Sequence, residues 1–403
     1  MNPTDLPRRT FLKLSAAGFG LAALTAARLS AADEPRPPKV EVPPGLMAAV
    51  AGYLQASPMA ELPAAVVVKA KLHILDTFAA MISGAEFKLG QLSRDFARGL
   101  GGNAQAQVAG DTFLTDAINA ALANGNMAHA DETDDSHEPS GMHPGCAIIP
   151  AALAVAEKEN ASGRALIAAV VAGYDIGCRI NQAFGPNQMN ARNQATHSIG
   201  GCFGAAAAAA SVMRLDEQRI RFMFDYAGQQ ASGMKYYVRD LEHVEKAFVF
   251  GGLPARSGVM AAAMAQAGFT GVPDCFSGES NLFLTFTDQP KPALLMEKLG
   301  QHYEVSVTNI KKFSVGSPIQ ASVEALIRII QRDDVKAADV KTLEVRVPSV
   351  DVVNNRLMPD INLQYSVAAT MLDGGLSFAA PHDFARMNSP DILRMKDRLT
   401  IVE

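Results

Sequence analysis

Alanine-rich helical segments dominate the chain from about Met47 to Ala267 and most constrain its fold. Two of them read "GGCFGAAAAAASVMRL" and "RSGVMAAAMAQAGF", and others place apolar residues at three- and four-residue spacing. Alanine has the highest helix propensity, and small side chains let neighbouring helix backbones approach closely. Aromatic residues make up only 6% of the 403 residues, and tryptophan is absent. We therefore predict a large, close-packed, all-helical domain over residues 45–270.

Glycine and asparagine positions predict where several of these helices end. The segment "ELPAAVVVKAKLHILDTFAAMISG" ends at Gly84, a residue type that commonly follows the last turn of a helix. The short helix "TDAINAALANG" is predicted to stop at Asn124-Gly125. Two longer segments, "CAIIPAALAVAEKENASG" and "GRALIAAVVAGYDIGCRI", form a predicted helix pair joined by Asn160–Gly163.

The sequence pattern changes after Gly271. Alternation in "YEVSVTNIKKFSVG", "VKTLEVRVPSV" and "DRLTIVE" predicts strands, and the periodicity of "PIQASVEALIRIIQR" and "LQYSVAATMLDGG" predicts helices. Mixed elements of this kind form an α+β unit. The predicted fold class is therefore mainly α plus α+β: a large all-helical domain with a smaller α/β lid domain over residues 271–403.

The N-terminus resembles a twin-arginine export signal. Arg8-Arg9 precedes an apolar run from Leu14 to Ala27 that is too short for a comfortable membrane span. The triplet Ser30-Ala31-Ala32 offers a small-residue cleavage site. We predict a signal peptide over residues 1–32, a proline-rich linker over 33–44, and delivery by the twin-arginine translocase to the periplasm or the exterior. An ordinary secretory signal and an uncleaved anchor are the alternatives.

Charge and cysteine usage exclude several classes of protein. The formal net charge of −5 gives no broad nucleic-acid footprint, so no nucleic-acid partner is expected. The four cysteines are scattered without a C-x-x-C pair, which argues against a zinc ribbon or a thioredoxin-type motif. Their spacing does not suggest a disulfide-stapled scaffold.

The stretch "AHADETDDSHEPSGMHPG", Ala128 to Gly145, holds five acidic residues and three of the eight histidines. A calcium loop starting at Asp131 would require Gly and Glu where Ser136 and Met142 stand, so that interpretation fails. A solvated acidic turn remains an alternative. Four of its side chains could in principle bind zinc or iron: His129, Asp135, His137 and His143. The stretch has no helical H-x-x-x-H or facial-triad spacing, so we expect no metal.

The end of this stretch favours acid–base chemistry. His143-Pro144-Gly145 opens a helix, and free backbone N–H groups at a helix start attract anions. A histidine beside an anion site suits proton transfer on a carboxylate substrate.

Two further stretches carry candidate residues. In "ATHSIGGCFG", His197 precedes Gly200, Gly201 and Gly204, which permit close approach of a ligand or another helix. In "RDLEHVEKAFVFGGLPARSGV", Lys246 and Arg256 flank a Gly-Gly turn and could clamp carboxylates. A packed histidine and two solvated cations are the respective alternatives.

Taken in order, these stretches resemble the MmgE/PrpD family, which includes 2-methylcitrate dehydratase and cis-aconitate decarboxylase. The resemblance rests on four blocks: "NGNMAHADETDDSHEPSGMHPGCAIIPAALAVAEK", "GYDIGCRI", "THSIGGCFGAAAAAASVMRLD" and "FGGLPARSGVMAAAMAQAGFTG". It implies a helical domain with an α/β lid, an active site between them, a homodimer, and no iron–sulfur cluster or other cofactor. In the family further residues complete the lid beyond the point where this chain ends, so a shortened C-terminus is predicted.

Carried over residue by residue, the resemblance implies five catalytic side chains: Glu132, Ser136, His143, His197 and Lys246. It leaves four others as supporting groups: His129, Asp134, Asp135 and His137. Arg256 is added as a substrate-binding residue from the carboxylate-clamp argument above. The chain departs from the family pattern with Glu132 in place of Asp, Ser136 in place of Thr, and an altered lid segment, "KKFSVGSPIQ". An active-site tyrosine of the decarboxylase branch falls near Val352.

The sequence therefore predicts a cofactor-independent lyase of the hydro-lyase type that acts on a small di- or tricarboxylate. His143 would take the proton next to a carboxylate, and His197 or a carboxyl group would protonate the departing hydroxide. Lys246, Arg256 and the helix start after His143 would stabilise the developing negative charge. An epimerase or isomerase of the same family and a non-catalytic, exported carboxylate-binding protein are the alternatives.

Overall fold

The computed structural model describes residues 40–349 and 351–403. The predicted signal peptide and the first residues of the predicted linker lie outside them. The described chain from Val40 to Glu403 forms one compact unit. Its four cysteines are unpaired thiols.

The larger part of the unit is helical, as predicted. Its core is built mainly from alanine, valine and isoleucine side chains on packed helices. A two-residue antiparallel pair, β1 (Ala106–Gln107) and β2 (Leu114–Thr115), interrupts the helices. The helices are α1 Leu46–Ala56, α2 Ala64–Gly84, α3 Lys88–Leu100, α4 Ala117–Ala128, α5 Gly145–Lys158, α6 Gly163–Phe184, α7 Pro186–Ala191, α8 Thr196–Val212, α9 Glu217–Gln230, α10 Val244–Ala247, α11 Leu253–Gln266 and α12 Leu282–Phe286.

One helix continues beyond its predicted end. The structure extends α4 through Gly125 to Ala128, so the predicted stop at Asn124-Gly125 is wrong. Gly125 stays helical because it lies against another backbone: a Cβ there would be 2.6 Å from the carbonyl oxygen of Gly251. Glycine is needed here for close approach rather than for a turn. The extension carries the chain directly into the acidic stretch.

The glycines of α8 also serve helix packing. A Cβ on Gly204 would lie 2.8 Å from the carbonyl oxygen of Gly173 on α6. Of the two predicted reasons for these glycines, approach of another helix is therefore the one observed at Gly204. The crossing fixes the start of α8, which carries His197, against the rest of the core.

Helix α10, a π-helical turn over Phe248–Gly252, and α11 form one continuous apolar helix. By length and composition alone, Val244–Gln266 could cross a membrane, but 67% of that window is buried inside the fold. Such burial is what a core helix shows. Within the described residues no other helix meets the same criteria.

The lid has its own core and begins later in the chain than the predicted boundary at 270/271. Side chains from Phe276 to Val305 pack into the helical core, whereas Val315 and the residues after it form a separate cluster. The lid helices are α13 Ser317–Asp333, α14 Leu363–Asp373, α15 Phe384–Met387 and α16 Pro390–Lys396. Strands β3 (Leu343–Arg346) and β4 (Leu399–Val402) pair in parallel, with Leu343 opposite Leu399.

The strand predicted within residues 303–316 is wrong. The segment forms a short 3₁₀ turn, Glu304–Val307, followed by irregular backbone. Its polar groups bond to helical side chains instead of a neighbouring strand: the Glu304 N–H donates to Asp175 Oδ1 at 2.7 Å. The Glu304 carboxylate lies 3.4 Å from Arg179 Nε. These contacts position the segment that joins the helical part to the lid.

Candidate active site

A cavity of about 1010 Å³ lies between the helical part and the lid. Its helical wall comes from the acidic stretch, the start of α8 and the π-helical turn. Its other wall comes from the segment that leads into the lid, around Ile310–Phe313, and from lid residues around Val352–Val353. The lining includes six of the ten side chains that the sequence singled out: Glu132, Ser136, His137, His143, His197 and Lys246.

The acidic stretch is buried, which overturns the alternative of a solvated acidic turn. Four of its five acidic residues are buried, and Glu138 is exposed. Burying a charge is costly unless the charge is paired and hydrogen-bonded. The partners of these carboxylates therefore define what the site can do.

Glu132 is the centre of the most densely charged group. Its carboxylate contacts the ammonium groups of Lys246 and Lys311, the latter at 3.3 Å, and His243 Nε2 at 3.4 Å. Burial opposes its ionisation, yet the two lysines hold the pKa of Glu132 well below its usual range. Its backbone is left-handed, with φ of 59°, a conformation that non-glycine residues retain mainly where surrounding contacts enforce it. Lys311 supplies one such contact by donating to the Glu132 carbonyl at 2.9 Å.

Asp134 lies between two histidines. His129 Nδ1 is 2.8 Å from Asp134 Oδ2, and His143 Nδ1 is 3.2 Å from the same oxygen. Despite complete burial, these rings and Lys311 hold the pKa of Asp134 well below its usual range. A carboxylate beside Nδ1 favours a proton on that nitrogen, which leaves Nε2 of His143 as the basic atom. His143 lines the cavity, so this arrangement suits a general base.

The second histidine is held in a complementary state. The backbone N–H of His143 donates to His197 Nδ1 at 3.1 Å. Desolvation is the main cause that keeps the pKa of His197 well below its usual range, followed by the neighbouring His143 and His129, so the ring is neutral. With Nδ1 accepting, the proton of the neutral ring sits on Nε2. His197 is therefore a neutral hydrogen-bond donor, the opposite of the tautomer that the geometry favours for His143.

Phe250 in the π-helical turn supports both rings. Its ring centroid lies 3.6 Å from that of His197 and 5.6 Å from that of His143. Lys246 Nζ lies 4.9 Å above the same ring, a cation–π contact. Single π-helical turns within α-helices are common at functional sites, where they redirect side chains. The predicted Gly-Gly turn is thus a helical bulge that presents Phe250 and Lys246 to the cavity.

Asp135 plays a supporting part behind the cavity. It accepts from the Gly145 N–H at 2.8 Å, from the Tyr174 hydroxyl at 2.6 Å and pairs with His73 Nδ1 at 2.7 Å. It does not line the cavity. The start of α5 is therefore already capped by Asp135, and the expectation that its N–H groups bind the substrate is wrong for Gly145.

Ser136 and His137 connect the two walls of the site. Ser136 lines the cavity, and its backbone exchanges two hydrogen bonds of 2.9 Å with Asn309. His137 Nε2 lies 2.9 Å from Glu304 Oε2. Both contacts join the acidic stretch to the segment that leads into the lid.

Arg256 is the predicted site residue that the structure places elsewhere. It is exposed on α11 and does not line the cavity. The helical continuation through the π turn carries it about three turns along the helix from Lys246. The cationic partner of the site is instead Lys311, from the altered lid segment.

Lys311 and the pair His243–Asp360 are the residues that sequence reasoning missed. The Lys311 side chain is 2% exposed, and burial opposes its charge, but Glu132 and Asp134 raise its pKa. His243 Nδ1 lies 2.6 Å from Asp360 Oδ2 of the lid. Both quoted segments, "KKFSVGSPIQ" and "RDLEHVEK", contained these basic residues, but no local spacing distinguished them from surface charges.

Among the residues that the structure describes, two groups of side chains have metal-ligand chemistry. Their ligand atoms lie within 4.8 Å of one another in His129–Asp134–His143 and in His129–Glu132–His243. In each group a carboxylate oxygen also contacts a lysine ammonium, Lys311 for Asp134 and Lys246 for Glu132. The ammonium groups supply the positive charge that a metal ion would bring, so the residues fit a metal poorly.

The buried histidines predict a loss of stability in acid. Desolvation lowers the pKa of His129 from 6.5 to about 3. Between these pH values His129 is protonated in the unfolded chain and neutral in the folded chain. Stability contributed this way is present above pH 6.5 and declines toward pH 3, by about 1.4 kcal/mol per pH unit for each such group. Urea unfolding at pH 7.5, 6 and 5 should show a shallower decline for His129→Gln than for the wild type. The exposed His302 serves as the control, because His302→Gln should keep the wild-type slope; equal slopes for all three proteins would contradict the assignment.

Part of the chain is similar to known proteins. Residues 48–295 match the MmgE/PrpD N-terminal domain, which is more than half of the chain. The chain is also similar to the cis-aconitate decarboxylase-like protein oryM of Aspergillus oryzae, with 26% identity over 226 residues. That match covers 52% of this chain and 46% of the relative, so the chain spans about half the length of the curated relative it matches.

The matched region contains the acidic stretch with His143, and also His197 and Lys246, and it ends before the lid begins. Members of the matched family are enzymes, among them 2-methylcitrate dehydratase and aconitate decarboxylase. The fold, a large helical part with a small α/β part, agrees with the same assignment. The chain belongs to the MmgE/PrpD family.

Proposed function

We propose that the protein is a cofactor-independent hydro-lyase that removes water from a small 2- or 3-hydroxy di- or tricarboxylate. The observation that carries the proposal is the pair His143 and His197, two adjacent rings at the cavity joined through the His143 N–H, with Asp134 3.2 Å from His143 Nδ1. One ring offers a basic nitrogen and the other a donor, which is what proton abstraction next to a carboxylate requires.

In this mechanism the C–H bond next to a substrate carboxylate breaks, and its proton passes to His143 Nε2. The electron pair first spreads into the carboxylate and then forms the carbon–carbon double bond as the neighbouring C–O bond breaks. The departing hydroxide takes the proton back from His143 and leaves as water. His197 donates a hydrogen bond from Nε2 to the leaving oxygen; its neutral state favours this role over the proton transfer that the sequence suggested.

The lysines supply the fixed positive charge that the intermediate needs. Lys246 and Lys311 both line the cavity, and each is balanced by a buried carboxylate in the resting site. Charge that develops on the substrate carboxylate therefore meets preorganised ammonium groups rather than mobile water. Ser136, also at the cavity, is proposed to hydrogen-bond the substrate.

Two observations favour dehydration over the alternatives. The ring centroids of His143 and His197 are 4.9 Å apart, too close for a substrate carbon to lie between them, as an epimerase with two opposed bases would require. Val352, near which the resemblance places the active-site tyrosine of the decarboxylase branch, lines the cavity and carries no hydroxyl. A buried acid–base site also argues for catalysis over simple carboxylate binding.

The test is a substrate screen. Hydroxylated and unsaturated polycarboxylates are incubated with the protein in D₂O, and unsaturated product is followed by ultraviolet absorbance and NMR, with and without a chelator. We expect product formation that the chelator does not affect. Deuterium in recovered substrate without unsaturated product would show an isomerase, and tight binding without any turnover would show a binding protein.

We further propose that the chain forms a homodimer. Helix α2 exposes an apolar face with Val68, Leu72, Leu75 and Ile82 at helical spacing, and Leu75 is 65% exposed. Apolar patches of this kind on folded proteins commonly mark interaction sites.

Leu75→Glu is expected to convert the dimer to a monomer, because a charge at the centre of an apolar interface would lose its hydration. Sedimentation velocity of the wild type and the variant provides the measurement. Leu393→Glu, at an exposed leucine of the lid, is the matched control and should remain dimeric. A monomeric wild type, or a dimeric Leu75→Glu, would contradict the proposed interface.

A further inference from the structure

We propose that Lys235 binds a second, remote carboxylate of the substrate and so selects polycarboxylates over monocarboxylates. The inference rests on the proposed function, because it assigns the other end of the same substrate. It arises from a comparison of the cations that line the cavity.

Five cationic side chains line the cavity among the described residues: Lys235, Lys246, Lys311, Lys312 and Arg356. Four of them already have partners. Lys246 and Lys311 pair with Glu132 and Asp134, and Lys312 Nζ donates to Glu324 Oε2 at 2.5 Å. The Arg356 guanidinium donates to the backbone oxygens of Asp351 and Val352.

Lys235 differs from the other four. Its ammonium makes no ion pair or hydrogen bond with any described side chain, although the residue is half-buried at the cavity. A half-buried cation without a partner favours an anion within its reach. No described carboxylate pairs with it in the resting site, so the anion is expected to arrive with the substrate.

The backbone fixes Lys235 beside the reacting groups. Its N–H donates to the Asn193 carbonyl at 2.8 Å, and the Ala195 N–H donates to Gly233 at 3.0 Å. These bonds hold the short 3₁₀ helix Lys235–Arg239 against the loop that leads into α8 and His197. Lys235 is thus anchored on the wall that carries His197.

The same 3₁₀ helix reaches the catalytic end through Tyr237. Its ring centroid lies 4.9 Å from that of Phe250, which supports both cavity histidines. Lys235 and Tyr237 lie on this one short helix, and both line the cavity. The helix therefore connects the unpaired ammonium with the end of the cavity that carries the histidines.

Charge balance supports the same assignment. The inner group of charged residues has no net charge, because it consists of two carboxylates and two ammonium groups: Glu132, Asp134, Lys246 and Lys311. Its ammonium groups can stabilise the charge that develops at one substrate carboxylate. The group brings no net positive charge to balance a second carboxylate. Lys235 adds that charge on the helical wall. Monocarboxylates would leave it unpaired, which makes it a residue that determines specificity and not a catalytic residue.

Binding of inert analogues tests the inference on the full chain. Glutarate carries two carboxylates, and its monomethyl ester has the same carbon chain with one of them neutralised. By isothermal titration calorimetry we expect Lys235→Met to bind glutarate about 10- to 100-fold more weakly than the wild type, as for loss of one charged hydrogen bond. The ester should bind both proteins equally.

Lys312→Met is the matched control, since this lysine lines the same cavity but is paired with Glu324. It should keep the wild-type affinity for glutarate. Lys235→Arg should retain most of the affinity, and thermal unfolding of each variant establishes that the fold is intact. Equal weakening by Lys235→Met and Lys312→Met, or a Lys235→Met that binds glutarate like the wild type, would overturn the proposal.

The outcome is separable from that of the proposed function. Absence of turnover with every hydroxy acid would remove the hydro-lyase assignment and leave the calorimetric comparison unaffected. Once a substrate with two carboxylates is found, Lys235→Met should raise KM by the same factor as the binding loss and leave kcat within about threefold. A large fall in kcat with unchanged KM would contradict a role in positioning the remote carboxylate.

Discussion

Replacing His143 by alanine is expected to lower kcat by about 10²–10⁴-fold, the usual contribution of a general acid–base group. The expectation follows from the geometry on both sides of the ring: Asp134 lies 3.2 Å from Nδ1, and the ring lines the cavity. Removing the imidazole leaves no basic nitrogen in the same position. Steady-state rates with the substrate found in the screen, at saturating concentration, give the measurement.

The fold should survive this substitution, because Asp134 keeps His129 and Lys311 as partners when the ring is removed, and the backbone bonds of His143 are unaffected. The N–H donates to His197 and the carbonyl accepts from Cys146, and both remain in alanine. His302→Ala is the matched control, since that ring is 48% exposed and away from the cavity. Near-wild-type turnover by His143→Ala, with an unchanged melting temperature, would remove His143 from the catalytic role.

A companion measurement separates the two histidines. Loss of His197 removes a donor whose Nδ1 anchors on the His143 backbone, so its effect includes the orientation of the first ring. Because the proposed base remains in His197→Asn, we expect the kcat of that variant to fall by a smaller factor than that of His143→Ala under the same saturating conditions.

The helical part of the fold was predictable because its signal is local. Periodic alanine-rich segments predicted α2, α5, α6, α8 and α11, and propensity and packing favour the same outcome in each. The prediction of a strand over residues 303–316 was wrong for the opposite reason. Its alternation is local, but Asp175 and Arg179 on α6 determine its backbone, and nothing within the segment indicates those partners.

The site was predictable where its residues are close in sequence. The acidic stretch brings Glu132, Ser136 and His143 to one cavity, as the sequence suggested. The sequence did not indicate that the carboxylates of this stretch are buried and paired with positively charged side chains. Lys311 lies 179 residues from Glu132, its partner, and a lysine in a lid segment looks the same in the sequence whether it is buried or solvated.

Arg256 shows the converse error. Proximity to Lys246 in the chain suggested a shared clamp, but the continuous helix through Phe248–Gly252 separates their directions. The prediction assumed a turn at Gly251-Gly252, whereas the two glycines allow close packing of this helix on α4. Close helix packing and a tight turn both require glycine, so the sequence alone does not distinguish them. The position of the neighbouring backbone does.

The second large effect is expected for Glu132→Gln, which should destabilise the protein by about 3–5 kcal/mol, as for removal of one partner from a buried ion pair. Glutamine fits the same space, so the loss comes from charge rather than volume. Lys246 is 9% exposed and has His129 Nε2 at 3.2 Å as its other polar contact, which cannot neutralise it. Lys311 keeps Asp134, so most of the cost falls on Lys246.

This origin can be tested by adding a second change. Glu132→Gln combined with Lys246→Met removes both charges and should recover much of the lost stability, because the unpaired buried ammonium is gone. Glu138→Gln, at the exposed acidic residue of the same stretch, is the control and should change the free energy of unfolding by less than about 0.5 kcal/mol. Urea denaturation at pH 7.5 measures all four proteins. A double variant no more stable than Glu132→Gln alone would show that the carboxylate stabilises the site through its left-handed backbone or His243 instead of through Lys246.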